Sequence, residues 1–138
     1  MVTECEKRHQ DIGWIPSSER DFMVEDLLAS TCIDHALSRH VGTLKSVYTP
    51  MGMMYHQTGK DLTRVDAMIG TGGVVIKSPS PKTLLHQSMM HGQKPHELRP
   101  KNPTYYLDQD YILSAMGLLS MEHPILALRI MKKRIVKL

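Results

Sequence analysis

At 138 residues, with 41% apolar and 22% charged positions, the chain is sized for one ordinary domain or one lobe of a larger one, and disorder is excluded as its general state. The net charge of +3 is mild, so no nucleic-acid partner is expected, and no apolar run reaches the roughly 18 residues that a membrane span requires. Cys5 and Cys32 match no metal-binding spacing and fit a reducing, cytoplasmic setting; the polar start Met1–Gln10 is not a signal peptide.

Residues 1–20 read as a poorly defined lead-in, without a clear period up to Gly13 and with a turn at Trp14-Ile15-Pro16. Ser18 with Asp21 forms a loose capping box. The spacing of Val24, Leu27, Leu28, Cys32, Ala36 and Leu37 then predicts an amphipathic helix over about 21–40, with Gly42 at its C′ position. Two extended segments follow, Lys45–Tyr48 and Met51–His56, broken at Thr49-Pro50, and Gly52 marks a bulge or a close approach. Gly59-Lys60-Asp61 is a turn, and Asp61 caps a single helical turn to Val65.

The centre of the chain is Met68 to Pro81. Val65, Ala67, Met68 and Ile69 read as a short buried strand, and Gly70, Gly72 and Gly73 follow around Thr71. Glycine carries no Cβ, so the backbone there turns sharply and approaches another group closely. Ser78 is expected to cap a helix over 82–91, with Pro79 or Pro81 in its first turn. A strand, a glycine turn and a helix N-terminus together form an anion or nucleotide site, or a plain turn. Thr71 either bonds a phosphate or ribose or satisfies the turn.

Gly92–Pro103 reads as a loop and Tyr105-Tyr106-Leu107 as a short strand. Asp108 suits the N-cap of a helix to Ser120, with Ile112, Leu113, Met116 and Leu119 on its apolar face and Ser114 and Gly117 forming a small face for close approach. A last helix starts at Glu122-His123-Pro124, and the basic group Lys132-Lys133-Arg134 with Lys137 reads as a solvated helix end. The whole order is an α/β pattern.

No catalytic constellation emerges. Asp108 and Asp110 would suit a metal, or an N-cap and first turn. His35/His40 and His86/His91 stand five apart, so neither pair has the i, i+4 spacing of a helical metal site. Lys60-Asp61 would meet phosphate, or form a surface ion pair. There is no G-x-S-x-G elbow.

Several segments taken together resemble one family: Ser38-Arg39-His40-Val41-Gly42, Gly59-Lys60-Asp61-Leu62, Ile69-Gly70-Thr71-Gly72-Gly73, Asp108-Gln109-Asp110-Tyr111-Ile112 running on to Leu119, and Pro124 with Ala127-Leu128. Over about 20–138 the chain resembles the C-terminal part of the MutL/GlmL family, associated with glutamate mutase and related adenosylcobalamin-dependent enzymes. The resemblance implies the second lobe of an actin-like (ribonuclease H-like) ATPase fold over 21–138. It implies that Gly72 and Gly73, with Gly70 and Thr71 adjoining, meet the ribose and α-phosphate of ATP or ADP, with magnesium, in a cleft shared with an N-terminal lobe. The first phosphate loop of such ATPases, with its magnesium-coordinating Asp, has no counterpart in Met1–Asp26. The resemblance therefore implies the last part of a longer protein or a split subunit, not active alone, that helps to reactivate a cobalamin-dependent mutase without holding cobalamin itself. The mismatch-repair protein also called MutL is unrelated, and its Asn-containing helix and Asp-x-Gly-x-Gly loop are absent. Two rival readings are a non-catalytic module docking on the missing lobe or a mutase subunit, and part of a sugar-kinase-like phosphotransferase.

Overall fold

A computed structural model describes residues 2–89 and 94–138. Its elements, in chain order, are helices α1 (Val2–Gln10) and α2 (Glu19–His40), strands β1 (Thr43–Thr49), β2 (Gly52–Thr58) and β3 (Ala67–Gly70), helices α3 (Gly73–Lys77) and α4 (Pro81–His86), strand β4 (Thr104–Asp108), helices α5 (Leu113–Leu119) and α6 (Pro124–Arg134), and strand β5 (Ile135–Lys137). The chain is α/β, with one two-stranded and one three-stranded sheet.

The expected capping box starts α2: Ser18 Oγ accepts from the Asp21 N–H at 3.2 Å and the Asp21 carboxylate accepts from the Ser18 N–H at 3.1 Å. The apolar stripe is less covered than its period implies. No residue of α2 is buried, and Leu27, Cys32 and Ala36 stand exposed while Ile33 and Leu37 are half-buried. The lead-in is a helix. Arg8 of α1 bonds Glu25 of α2 at 2.5 Å and Glu4 at 2.9 Å, and Lys7 and Arg8 lie 4.4 and 4.3 Å from the centroid of the Trp14 ring. These polar and cation–π contacts dock α1 where hydrophobic periodicity carries no signal.

The two extended segments form an antiparallel hairpin, with Thr43 opposite Thr58 and Thr49 opposite Gly52. Gly52 is required by its φ of +113° and not by crowding, since a Cβ there would meet nothing within 4 Å. Gly42 is the opposite case. It is not left-handed, but a Cβ would stand 2.5 Å from the Thr58 carbonyl oxygen. Its N–H donates to Lys60 O at 2.7 Å and its carbonyl accepts from Leu98 N–H at 2.8 Å. Leu44 N–H donates to His96 O at 2.8 Å, so residues 96–98 line the outer edge of β1.

In the second sheet the order is β3-β4-β5, with β3 parallel and β5 antiparallel to β4. β3 is an edge strand and not the buried one expected: Ala67 and Ile69 are exposed and only Gly70 is buried. β5 takes the place of the end of the expected basic helix, because Ile135 and Val136 pair with Asp108 and Leu107. The helix opening at Gly73 was not foreseen, and the next one is capped at Ser80, not Ser78, with Pro81 in its first turn. Ser78 Oγ accepts instead from Ser80 N–H at 3.0 Å. That second helix ends at His86; His91 and Gly92 lie outside the described residues. Among the described residues the buried apolar side chains are Val41, Leu84, Leu85, Leu98, Tyr105, Leu107 and Ala127; Leu84 and Leu85 belong to α4, which packs on β3 and β4, and Tyr105 and Leu107 belong to β4.

Candidate functional site

The glycine turn leaves the end of β3 and enters α3 directly. Gly70 is structural: a Cβ on it would lie 2.9 Å from Val75 Cγ1 and 3.0 Å from Leu85 Cδ1, so its bareness lets the strand pack on α3 and α4. Gly72 has φ +96° and Gly73 begins the helix, and a Cβ on either would meet nothing within 4 Å. These two residues present open backbone. At five residues, α3 has little dipole to offer an anion, so close approach is what the turn retains from the sequence reading.

Thr71 is tied down. Its hydroxyl donates to Asp108 Oδ2 at 2.9 Å, across 37 positions of sequence. Asp108 is the last residue of β4, fully buried, and its carboxylate also accepts from the N–H groups of Ile112 at 2.9 Å and Leu113 at 3.1 Å. Burial pushes this carboxyl up, but the Ile112 and Leu113 amides and the Thr71 hydroxyl outweigh burial and hold it below the usual carboxylate range. Asp108 caps from a distance, since the helix starts at Leu113 and not near Gln109. Tyr111, at φ +55°, makes the intervening turn. Asp110 is drawn away to Arg134 of α6 at 3.3 Å, so the two aspartates do not converge on a metal. Among the described residues no group of three or more His, Cys, Asp or Glu is placed to hold a metal ion. Lys60 and Asp61 also part company: Lys60 bridges Val41 through its backbone, and Asp61 Oδ1 accepts from the Thr63 N–H at 2.8 Å.

Three of the four candidate residues border two cavities, and Gly72 borders neither. One, of about 490 Å³, is bordered by Gly70 and Thr71 with Ile33, Leu37, His40 and Leu85. The other, of about 440 Å³, is bordered by Gly73 and Val74 with Trp14, Phe22, Asp26 and Lys77.

A polar cluster absent from the sequence reading lies under α2. Arg99 is fully buried and reaches Asp34 Oδ1 at 2.7 Å, Glu97 Oε2 at 2.5 Å and Ser38 Oγ at 2.6 Å. Lys94 Nζ adds a bond to Asp34 Oδ2 at 2.8 Å. The Lys94 ammonium, then Arg99, hold the Asp34 carboxyl below its ordinary range against the effect of burial. The available signal was Glu97-x-Arg99 among prolines, together with Asp34 and Ser38 one turn apart on a helix.

The family model described as MutL protein matches residues 1–135. The chain belongs to the MutL family. The match reaches back through α1, which the motif-based resemblance left aside. "Protein MutL" of Clostridium tetanomorphum is 44% identical over 133 residues, covering 96% of this chain and 29% of the relative. The chain thus spans less than a third of the length of the curated relative it matches. The family is the MutL/GlmL one expected from the motifs, not mismatch repair. No solved structure matches.

Proposed function

We propose that this chain is the nucleotide-binding C-terminal lobe of an actin-like ATPase of the MutL family, which reactivates an adenosylcobalamin-dependent mutase such as glutamate mutase in the cytoplasm. The carrying observation is the open backbone of Gly72 and Gly73 directly after β3. Close approach of ribose and phosphate is sterically free there, and the Thr71–Asp108 bond holds the turn against the second sheet. The residues fit the nucleotide but not its magnesium: Asp108 is buried and already accepts three hydrogen bonds. A metal ligand would come from an N-terminal lobe. Bound nucleotide would bias the arrangement of the two lobes through its different affinity for each, letting damaged cofactor leave the mutase. The test is reactivation: the longer family protein with ATP should restore turnover to a mutase inactivated on its cofactor. Failure to restore it, with ATP and free adenosylcobalamin present, contradicts the proposal.

A second reading, docking on a lobe or mutase subunit, rests on surface area. The chain exposes 10072 Å², whereas a 15.7 kDa globular monomer exposes about 7,300 Å². The excess, about 2,800 Å², exceeds the roughly 1,000–2,500 Å² that one partner contributes to an obligate interface. The hairpin contributes Tyr48 at 86%, Met51 at 94% and Tyr55 at 70% exposure. The two readings are compatible. Strong binding of an apolar dye that a partner lobe suppresses would support the second, and a compact monomer that binds no dye would sink it.

A further inference from the structure

The cavity beside Gly73 joins pieces far apart in sequence. Trp14 comes from the segment after α1, Phe22 and Asp26 from α2, and Val74 and Lys77 from α3. Its 440 Å³ lies within the range of small-molecule sites, about 300–1,000 Å³. The walls are mostly apolar, with Trp14 and Phe22 supplying flat rings, while Asp26 and Lys77 bring opposite charges. A wholly apolar ligand would desolvate those charges without pairing them. A planar heteroaromatic with an amino group meets both demands, since its faces lie on apolar walls and its amine donates to a carboxylate. Beside the wall, Arg8 lies on the Trp14 ring and bonds Glu25, another lining residue, and its buried Nη2 has no acceptor among the described residues. Arg8 does not itself line the cavity; its contacts with Trp14 and Glu25 fix those two walls.

We infer that this cavity takes the nucleoside part of a purine nucleotide, with the base against Trp14 and Phe22 and the phosphates leaving over Gly73. The inference rests on the proposed nucleotide binding and adds the N-terminal segment to the site. Trp14 is the single tryptophan, so its fluorescence reports the cavity directly. The experiment titrates adenosine, ADP and pyrophosphate into the chain, following Trp14 emission and heat in parallel, and repeats both with Val74→Phe, which fills the cavity from a half-exposed position. Adenosine and ADP should each change Trp14 emission saturably and pyrophosphate should not. Val74→Phe, folded by circular dichroism, should weaken adenosine and ADP at least about tenfold. ADP heat with a silent Trp14 overturns the inference and leaves nucleotide binding standing. An absence of ADP heat in the unmodified chain overturns both.

Discussion

Single residues decide how the glycine turn is held. Thr71 ties the turn to Asp108 at the end of β4, and Asp108 is fully buried. Thr71→Val should cost about 1–3 kcal/mol in urea unfolding, because a buried carboxylate loses a donor, and Thr71→Ser should recover most of it. The glycines should divide. Gly72→Ala places a side chain at φ +96° and ψ 148°, a region open essentially to glycine alone, and should cost about 1–3 kcal/mol, while Gly73→Ala, in open space at a helix start, should be near neutral. Asp108 and Asp34 also predict an acid limb. Both carboxyls titrate lower folded than unfolded, so their stabilisation is present above the unfolded value, about 3.9, and lost as pH falls through the folded value. The urea midpoint should therefore be flat near neutrality and fall below about pH 4, more gently in Asp34→Asn. Ser78 shows where residue-level reading failed. Residue type and position favour it as a cap, but Ser80 directly precedes Pro81 and takes the cap position, and only the backbone path decides between them.

At the scale of elements, α2 is fastened to the loop before β4 by charge more than by apolar packing. Arg99 carries that fastening with Asp34, Glu97 and Ser38. Arg99→Ala should cost about 3–5 kcal/mol in denaturant unfolding, since two acidic groups lose their buried partner, whereas Arg99→Met with Glu97→Leu should be far milder. Elements with strong local signals were legible in the sequence: α2 from its period and capping box, the hairpin from its break at Thr49-Pro50, and the half-buried stripe Ile112, Leu113, Met116 and Leu119 of α5 from its spacing. Elements defined by tertiary partners were not. α1 is docked through Arg8 and Trp14, β5 exists only because β4 offers an edge, and α3 is too short to have a period. Ser114 and Gly117 meet no close neighbour within this chain, since no described atom comes within 4 Å of a Cβ built on Gly117. Of the candidate site, the glycines were legible because their spacing is local. The Thr71–Asp108 bond was not, because it spans 37 positions.

For the molecule as a whole, seven buried apolar side chains among the described residues are a small core, and the exposed area exceeds the globular expectation. Under the proposed function a partner lobe would cover this surface; the chain spans 29% of its curated relative. The hairpin methionines give a specific expectation: Met51→Lys with Met53→Lys should leave thermal stability of the isolated chain unchanged within about 0.5 kcal/mol while lowering apolar-dye fluorescence. A large loss of stability would show that the hairpin is packed in solution. The central claim, that this lobe holds nucleotide at its glycine turn, is most directly tested by calorimetric titration of magnesium ADP into the chain, with Gly73→Val as the control. Saturable binding that the valine abolishes is the predicted result, because its side chain would occupy the open space above the turn. Binding of equal strength to the valine variant, or no binding to the unmodified chain, would contradict the claim.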